Sequence, residues 1–354
     1  MKQRLGLVGA VVGAVAVGAA AGLAAERYAI GRVRLAEDPE ATEPFFQLPA
    51  DRVREVLADD GVTLHVEEVG PEGVELTVVF CHGYTLEMAS WHYQRRALAG
   101  EGLGNLVFWD QRSHGKSGRG APPSATIDQL GEDLHAVIEA CAPTGRVVLV
   151  GHSMGGMTIM ALADSHPELF GSRVVGVALV ATSPGKLAEV TFGLPALFSG
   201  VNRRVLPYLT RGMRGRPELF ERGRRLGTDV AFLATRRGSF GSKDVPPSLV
   251  ELTERMIAAT PVDVIAEFYD TFVDHDKLHA LPVLNQVETL VLVGGEDVVT
   301  PPEHSRTIAA QLPDAQLVVL EGAGHMVQLE RHALVTLHLR ALVRRATSAR
   351  RRTA

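Results

Sequence analysis

Short, nearly uninterrupted apolar runs punctuate the chain from residue 76 onward: Leu76–Phe80, Leu106–Trp109, Val147–Val150, Val174–Val180, Leu290–Val293 and Leu317–Leu320. Runs of this length suit strands covered on both faces, as in a parallel sheet. Helical periodicity fills the intervals, notably Ile127 to Ala140 and Met154 to Ala163. Ahead of them, Arg52–Val56 and Val62–Val69 alternate apolar and polar residues around Asp59-Asp60-Gly61, which predicts an antiparallel hairpin. Strand and helix in alternation define an α/β fold with a mostly parallel, doubly wound sheet and right-handed crossovers.

One interval breaks the rhythm. Between the strands ending near Ala181 and starting near Thr289 lie about a hundred residues without a clear buried strand, too many for a simple crossover. Residues 185–281 are therefore expected to form an inserted helical cap, leaving 51–184 and 282–345 as the α/β core. The cap is uneven in charge: 203–237 hold ten Arg against three acids, and 244–276 hold eight acids against Arg255. Solvated faces or mutual pairing account for this, with a basic surface facing lipid headgroups or anionic substrates as the alternative.

The N-terminus has another texture. Lys2 and Arg4 precede an uncharged stretch, Leu5 to Ala25, which as a helix would span about 31 Å, close to a bilayer's hydrocarbon core. Residues 1–25 are expected to be a membrane anchor formed by a hydrophobic helix. A signal segment cleaved at Ala19-Ala20-Ala21, giving a secreted protein, is the alternative. Basic residues flank the run on both sides, so the side of the membrane is left open. Residues 26–50, broken by Pro39, Pro44 and Pro49, read as a linker. Residues 346–354 read as a basic tail.

Composition adds exclusions. The chain has 354 residues, 46% hydrophobic and 22% charged, enough to bury a sizeable core. A net charge of -5 does not call for nucleic acid as a partner. Cys81 and Cys141 are the only cysteines, both in apolar surroundings, and neither a disulfide framework nor a metal spacing results. No cofactor and no metal are expected. Oligomeric state is left open.

Chemistry concentrates at Gly151-His152-Ser153-Met154-Gly155, between the run 147–150 and a helix. A G-x-S-x-G between strand and helix is the pattern of a nucleophile elbow, a turn too tight for side chains on its flanks. Ser153 would stand at a helix N-terminus, where the dipole favours developing negative charge. A serine hydroxyl needs a base. His325, in Gly322-Ala323-Gly324-His325 after the last run, is placed to supply it. Its orienting carboxylate is expected to be Asp297, in Gly294-Gly295-Glu296-Asp297, with Glu296 as the local rival. The backbone N–H groups of Met154 and of Tyr84, in Cys81-His82-Gly83-Tyr84, would form the oxyanion hole. His82 is read as ordering that loop.

Taken with Asp110-Gln111-Arg112-Ser113-His114-Gly115-Lys116-Ser117, these segments resemble the α/β-hydrolase fold superfamily, and within it capped esterases and lipases, over residues 55 to 345. The resemblance implies that Asp110 and Arg112 organise their loop without taking part in catalysis. Ser113 stands where the family pattern has glycine. A serine at position 153, where epoxide hydrolases and dehalogenases carry an aspartate, argues against both. The expected activity is cleavage of a small-molecule or lipid ester, with an apolar or fatty acyl group, through an acyl-serine intermediate. C–C bond hydrolysis or cofactor-free peroxidase chemistry by the same triad, or a non-catalytic ligand-binding protein on this fold, are the alternatives.

Overall fold

The computed structural model describes residues 37–185, 211–226 and 228–348. The expected hydrophobic helix at 5–25 and the leading part of the cap lie outside the described residues. Eight strands form one sheet in the order β1-β2-β4-β3-β5-β6-β7-β8. The hairpin β1 (Arg52–Leu57) and β2 (Thr63–Val69) is antiparallel, with Leu57 opposite Thr63. β2 runs antiparallel to β4 (Asn105–Trp109). From there the sheet is parallel through β3 (Leu76–Cys81), β5 (Arg146–His152), β6 (Val174–Val180), β7 (Glu288–Gly294) and β8 (Gln316–Leu320).

The apolar runs that form β3 to β7 are central strands covered on both sides. On one face Val79, Val107, Leu149 and Val177 pack against α2 (Ile127–Cys141) and α3 (Met154–Ser165). On the other, Phe80, Phe108, Val148 and Leu290 pack with Trp91, with α1 (His92–Leu98) and with the C-terminal helix (His332–Ser348). Phe80 and Phe108 stack with centroids 4.6 Å apart. Each such fully buried side chain stabilises the fold by about 1.5–3 kcal/mol. β1 and β8 are the edge strands and stay partly exposed.

Between β6 and β7 the described residues are helical: α4 (Pro217–Leu226), α5 (Thr228–Ser239), α6 (Pro247–Ala259) and α7 (Val262–Asp274). After β7 come α8 (Pro302–Gln311), the single turn α9 (Val327–Glu330) and α10 (His332–Ser348).

Two expectations need adjustment. Residues 37–50 have the turns that their prolines predict, but they are docked rather than a free linker. Asp38 accepts hydrogen bonds from Ser248 N and Oγ on α6, at 2.9 and 2.6 Å. Glu43 lies 2.7 Å from His92 Nε2 and pairs with Arg96 on α1. Phe45 packs on Tyr93, and Arg255 lies 4.2 Å over the Phe46 ring. The segment is a strap from α1 to α6. Proline breaks report lost periodicity, and they say nothing about packing. At the other end, helix α10 continues to Ser348, and buried Ala346 touches Gly176 of β6. The core therefore runs past the expected tail boundary at 346.

Candidate active site

Ser153 sits between the carboxyl end of β5 and the first turn of α3 with φ 51° and ψ −117°, a conformation unfavourable for a residue with a Cβ. Such strain costs about 1–3 kcal/mol and persists only where the surroundings enforce it. Here they do. Ser153 N donates to Val180 O at 2.9 Å, and Ser153 O accepts from Gly156 N at 2.9 Å and Thr182 Oγ1 at 2.7 Å. The flanking glycines are steric necessities. A Cβ on Gly151 would strike the Gly155 carbonyl, and one on Gly155 the Cys81 carbonyl of β3.

His325 lies in the loop between β8 and α9, and Asp297 in the loop after β7. His325 Nδ1 is 2.9 Å from Asp297 Oδ2, so this nitrogen carries the proton and Nε2 is left as the acceptor. Asp297 also accepts from Val299 N, Thr300 N and Thr300 Oγ1, at 2.8 to 2.9 Å. Burial works to raise its carboxyl, but His325 and these donors outweigh burial and hold it below the usual carboxylate value. Glu296, the rival, is exposed. The serine and histidine loops are tied together by His152, whose Nε2–H donates to His325 O at 3.0 Å.

Glu330 is a positioning residue that sequence reasoning missed. Its carboxylate accepts from Gly324 N at 2.7 Å, and from Gly241 N and Ser242 N in the segment leading from α5 to α6, at 3.1 and 2.6 Å. It thus anchors the His325 loop to the segment between α5 and α6. A lone Glu on a single helical turn carries no sequence signal for this.

Tyr84 follows β3 and stands next to the elbow. Its hydroxyl donates to the Ile265 carbonyl of α7, and its ring packs on Phe272 at 4.8 Å. Met154 opens α3, where the first N–H groups have no carbonyl one turn behind them. Together with Met157, Val264 and Phe268 these residues form an apolar cluster between α3 and α7. His82 orders its loop as expected: Nδ1–H donates to Gly83 O at 2.7 Å, and Nε2 accepts from Gln111 N at 2.9 Å.

The loop after β4 also follows its expected role. Asp110 accepts from Met88 N and Lys116 N, both at 2.8 Å. Arg112 is fully buried and bonded to Asp133, Asp60 and Ser124. Ser113 adopts φ 65°, the left-handed conformation its glycine counterpart would take freely. Its hydroxyl accepts from Gly120 N at 3.0 Å, which offsets part of the strain. A cavity of about 410 Å³ lies between the start of α2 and the end of α7, lined by Asp128, Glu267, Asp270 and Lys277 among others. None of Ser153, Asp297 and His325 lines it.

Three histidines beneath this site set an acid limit. Burial pushes His82 and His152 down to about 3 and His114 to about 4, from an ordinary 6.5. They stay neutral in the folded chain while the unfolded chain takes up protons below pH 6.5. Their contribution to stability is therefore complete above pH 6.5 and falls with pH until the folded values are reached. At pH 5 the loss is about 2 kcal/mol for each histidine. Denaturant unfolding at pH 7.5 and pH 5 should show it, with His114→Gln giving a shallower slope. A flat profile from pH 7 to 5 would contradict the buried, neutral state.

The sheet order, the strained serine and the His325–Asp297 pair place the molecule in a class. A family model described as alpha/beta hydrolase fold matches residues 77–332, and the chain belongs to that family. The protein is 28% identical over 301 residues to the dihydrolipoyllysine-residue acetyltransferase component of the acetoin cleaving system of Pseudomonas putida, covering 84% of this chain and 70% of that one. It is 26% identical to an sn-1-specific diacylglycerol lipase of Mus musculus, covering 72% of this chain and 76% of the lipase. Among solved structures, a thermophilic esterase from Thermogutta terrifontis superposes with a TM-score of 0.63 at 26% identity, over 83% of this chain and 99% of the esterase.

Proposed function

We propose that the protein is a serine esterase acting on apolar or fatty acyl esters, with Ser153, Asp297 and His325 as its triad. The observation that carries the reading is the strained Ser153 elbow joined through His152 to a His325 already oriented by Asp297. His325 Nε2 takes the Ser153 proton as Oγ attacks the ester carbonyl carbon. The N–H groups of Tyr84 and Met154 receive the oxyanion. Collapse breaks the C–O bond, and His325 returns the proton to the departing alcohol. Water, deprotonated by His325, then cleaves the acyl-serine and releases the acid.

The apolar acyl preference is supported by the cluster of Tyr84, Met154, Met157, Phe268 and Phe272, to which both proposed oxyanion donors belong. The Thermogutta esterase and the mouse lipase favour ester substrates among the reactions that such a triad performs. Membrane attachment through residues 5–25 is part of the same reading, with secretion after cleavage as the alternative.

Purified protein assayed against p-nitrophenyl esters of graded chain length tests this reading. Turnover should favour medium or long acyl groups over acetate. Absence of turnover across the series would defeat it. The same assay on a chain beginning at residue 37, which keeps the docked strap, should give unchanged turnover. Only the full-length chain should float with lipid vesicles, and co-flotation of both forms would place the membrane contact elsewhere.

A further inference from the structure

The end of α3 remote from Ser153 carries a cluster that hydrolysis does not use. Glu132 and His135 are one turn apart on α2, and His166 follows the last turn of α3. Residues three apart on a helix share a face, and a Glu-x-x-His pair of this kind is a recurrent source of metal ligands in helical proteins. His166 Nε2 lies 3.0 Å from Glu132 Oε2, and the His135 and His166 rings are 3.9 Å apart between centroids. One ligand atom from each of the three residues falls within 4.8 Å of the other two.

We propose that Glu132, His135 and His166 form a binding site for a divalent transition-metal ion of the Zn²⁺ type, which clamps α2 to the end of the nucleophile-bearing helix. Two imidazoles and one carboxylate suit Zn²⁺, Co²⁺ or Ni²⁺, whereas Mg²⁺ and Ca²⁺ require mostly oxygen. Zn²⁺ sits about 2.0–2.2 Å from such ligands, so modest rotamer changes bring three atoms already within 4.8 Å onto one ion. All three side chains are partly exposed, at 37%, 30% and 22%, so an ion can enter from solvent and keep water as a fourth ligand. Glu168 Oε1 lies 3.4 Å from His166 Nδ1, on the side of the ring away from Glu132. A carboxylate there holds the Nδ1–H tautomer and leaves Nε2 for the ion, the usual outer support of a metal-bound histidine. Glu139, 3.9 Å from His135, is paired with Arg173 and is not needed as a ligand.

This inference is independent of the chemistry at Ser153. Chelator-stripped full-length protein titrated with Zn²⁺ in a calorimeter should take up one ion per chain, and its Tm should rise with Zn²⁺. His135→Ala and Glu132→Gln should each weaken uptake at least about tenfold, because loss of outer-shell partners alone costs about 10–100-fold. The Tm rise should vanish in His135→Ala. Absence of saturable uptake at submillimolar Zn²⁺ would overturn the proposal. So would equal affinity in wild type and both variants, which would place the ion elsewhere, for example at His325.

Discussion

Replacing Ser153 by alanine should abolish ester turnover and fluorophosphonate labelling together, with kcat falling by about 10⁶-fold as in triads of this kind. The effect is large because Oγ is the atom that would bond to the substrate. The fold should survive. The contacts that hold residue 153 in place engage its own backbone, Ser153 N to Val180 O and Gly156 N and Thr182 Oγ1 to Ser153 O, and alanine keeps all three. Circular dichroism and an unchanged Tm would confirm that loss of activity is chemical. Labelling that persists in Ser153→Ala, read by mass spectrometry of the modified peptide, would transfer the nucleophile to another residue.

Asp297→Asn should lower kcat by about 10⁴-fold with little change in KM. The Asp297 carboxylate accepts from Val299 N, Thr300 N, Thr300 Oγ1 and His325 Nδ1. An asparagine in this place has only one acceptor oxygen. If Val299 N and Thr300 N retain it, the amide NH₂ faces Thr300 Oγ1 and His325. The imidazole must then accept at Nδ1 and carry its proton on Nε2, the atom that has to receive the serine proton. Glu296→Gln is the control, since its side chain is exposed and should change kcat less than about twofold. A large loss in Glu296→Gln with little in Asp297→Asn would reverse the assignment of the acid.

The strand-helix alternation and the order of the glycine-flanked motifs were legible in the sequence because they arise from local constraints. An unbroken apolar run has few other uses in a soluble core, and the β3 to β8 runs all became strands of the sheet. G-x-S-x-G shows in the sequence because neighbouring backbone leaves no room for Cβ at Gly151 or Gly155. Ser113 illustrates the limit of pattern reading. It stands where the family pattern has glycine, yet the backbone keeps the left-handed turn and the hydroxyl gains a partner in Gly120 N.

What only the tertiary structure decided are contacts between segments far apart in the chain. That His325 pairs with Asp297 and not with Glu296 rests on which carboxylate points inward, and adjacent positions in one loop give no periodicity from which to read that. His152, an unspecified position of the motif, spans 173 residues to reach the His325 carbonyl. Glu330 joins the His325 loop to Gly241 and Ser242. Tyr84 holds α7 through the Ile265 carbonyl. The strap at 37–50 meets α6 through Asp38 and Ser248, 210 residues apart. Each of these is a single hydrogen bond or a few, made by residue types that are common on any surface. Sequence alone records hydrophobic period and steric exclusion, which repeat or forbid. A lone polar partner does neither, so its role exists only once folding has brought the other half of the bond to it.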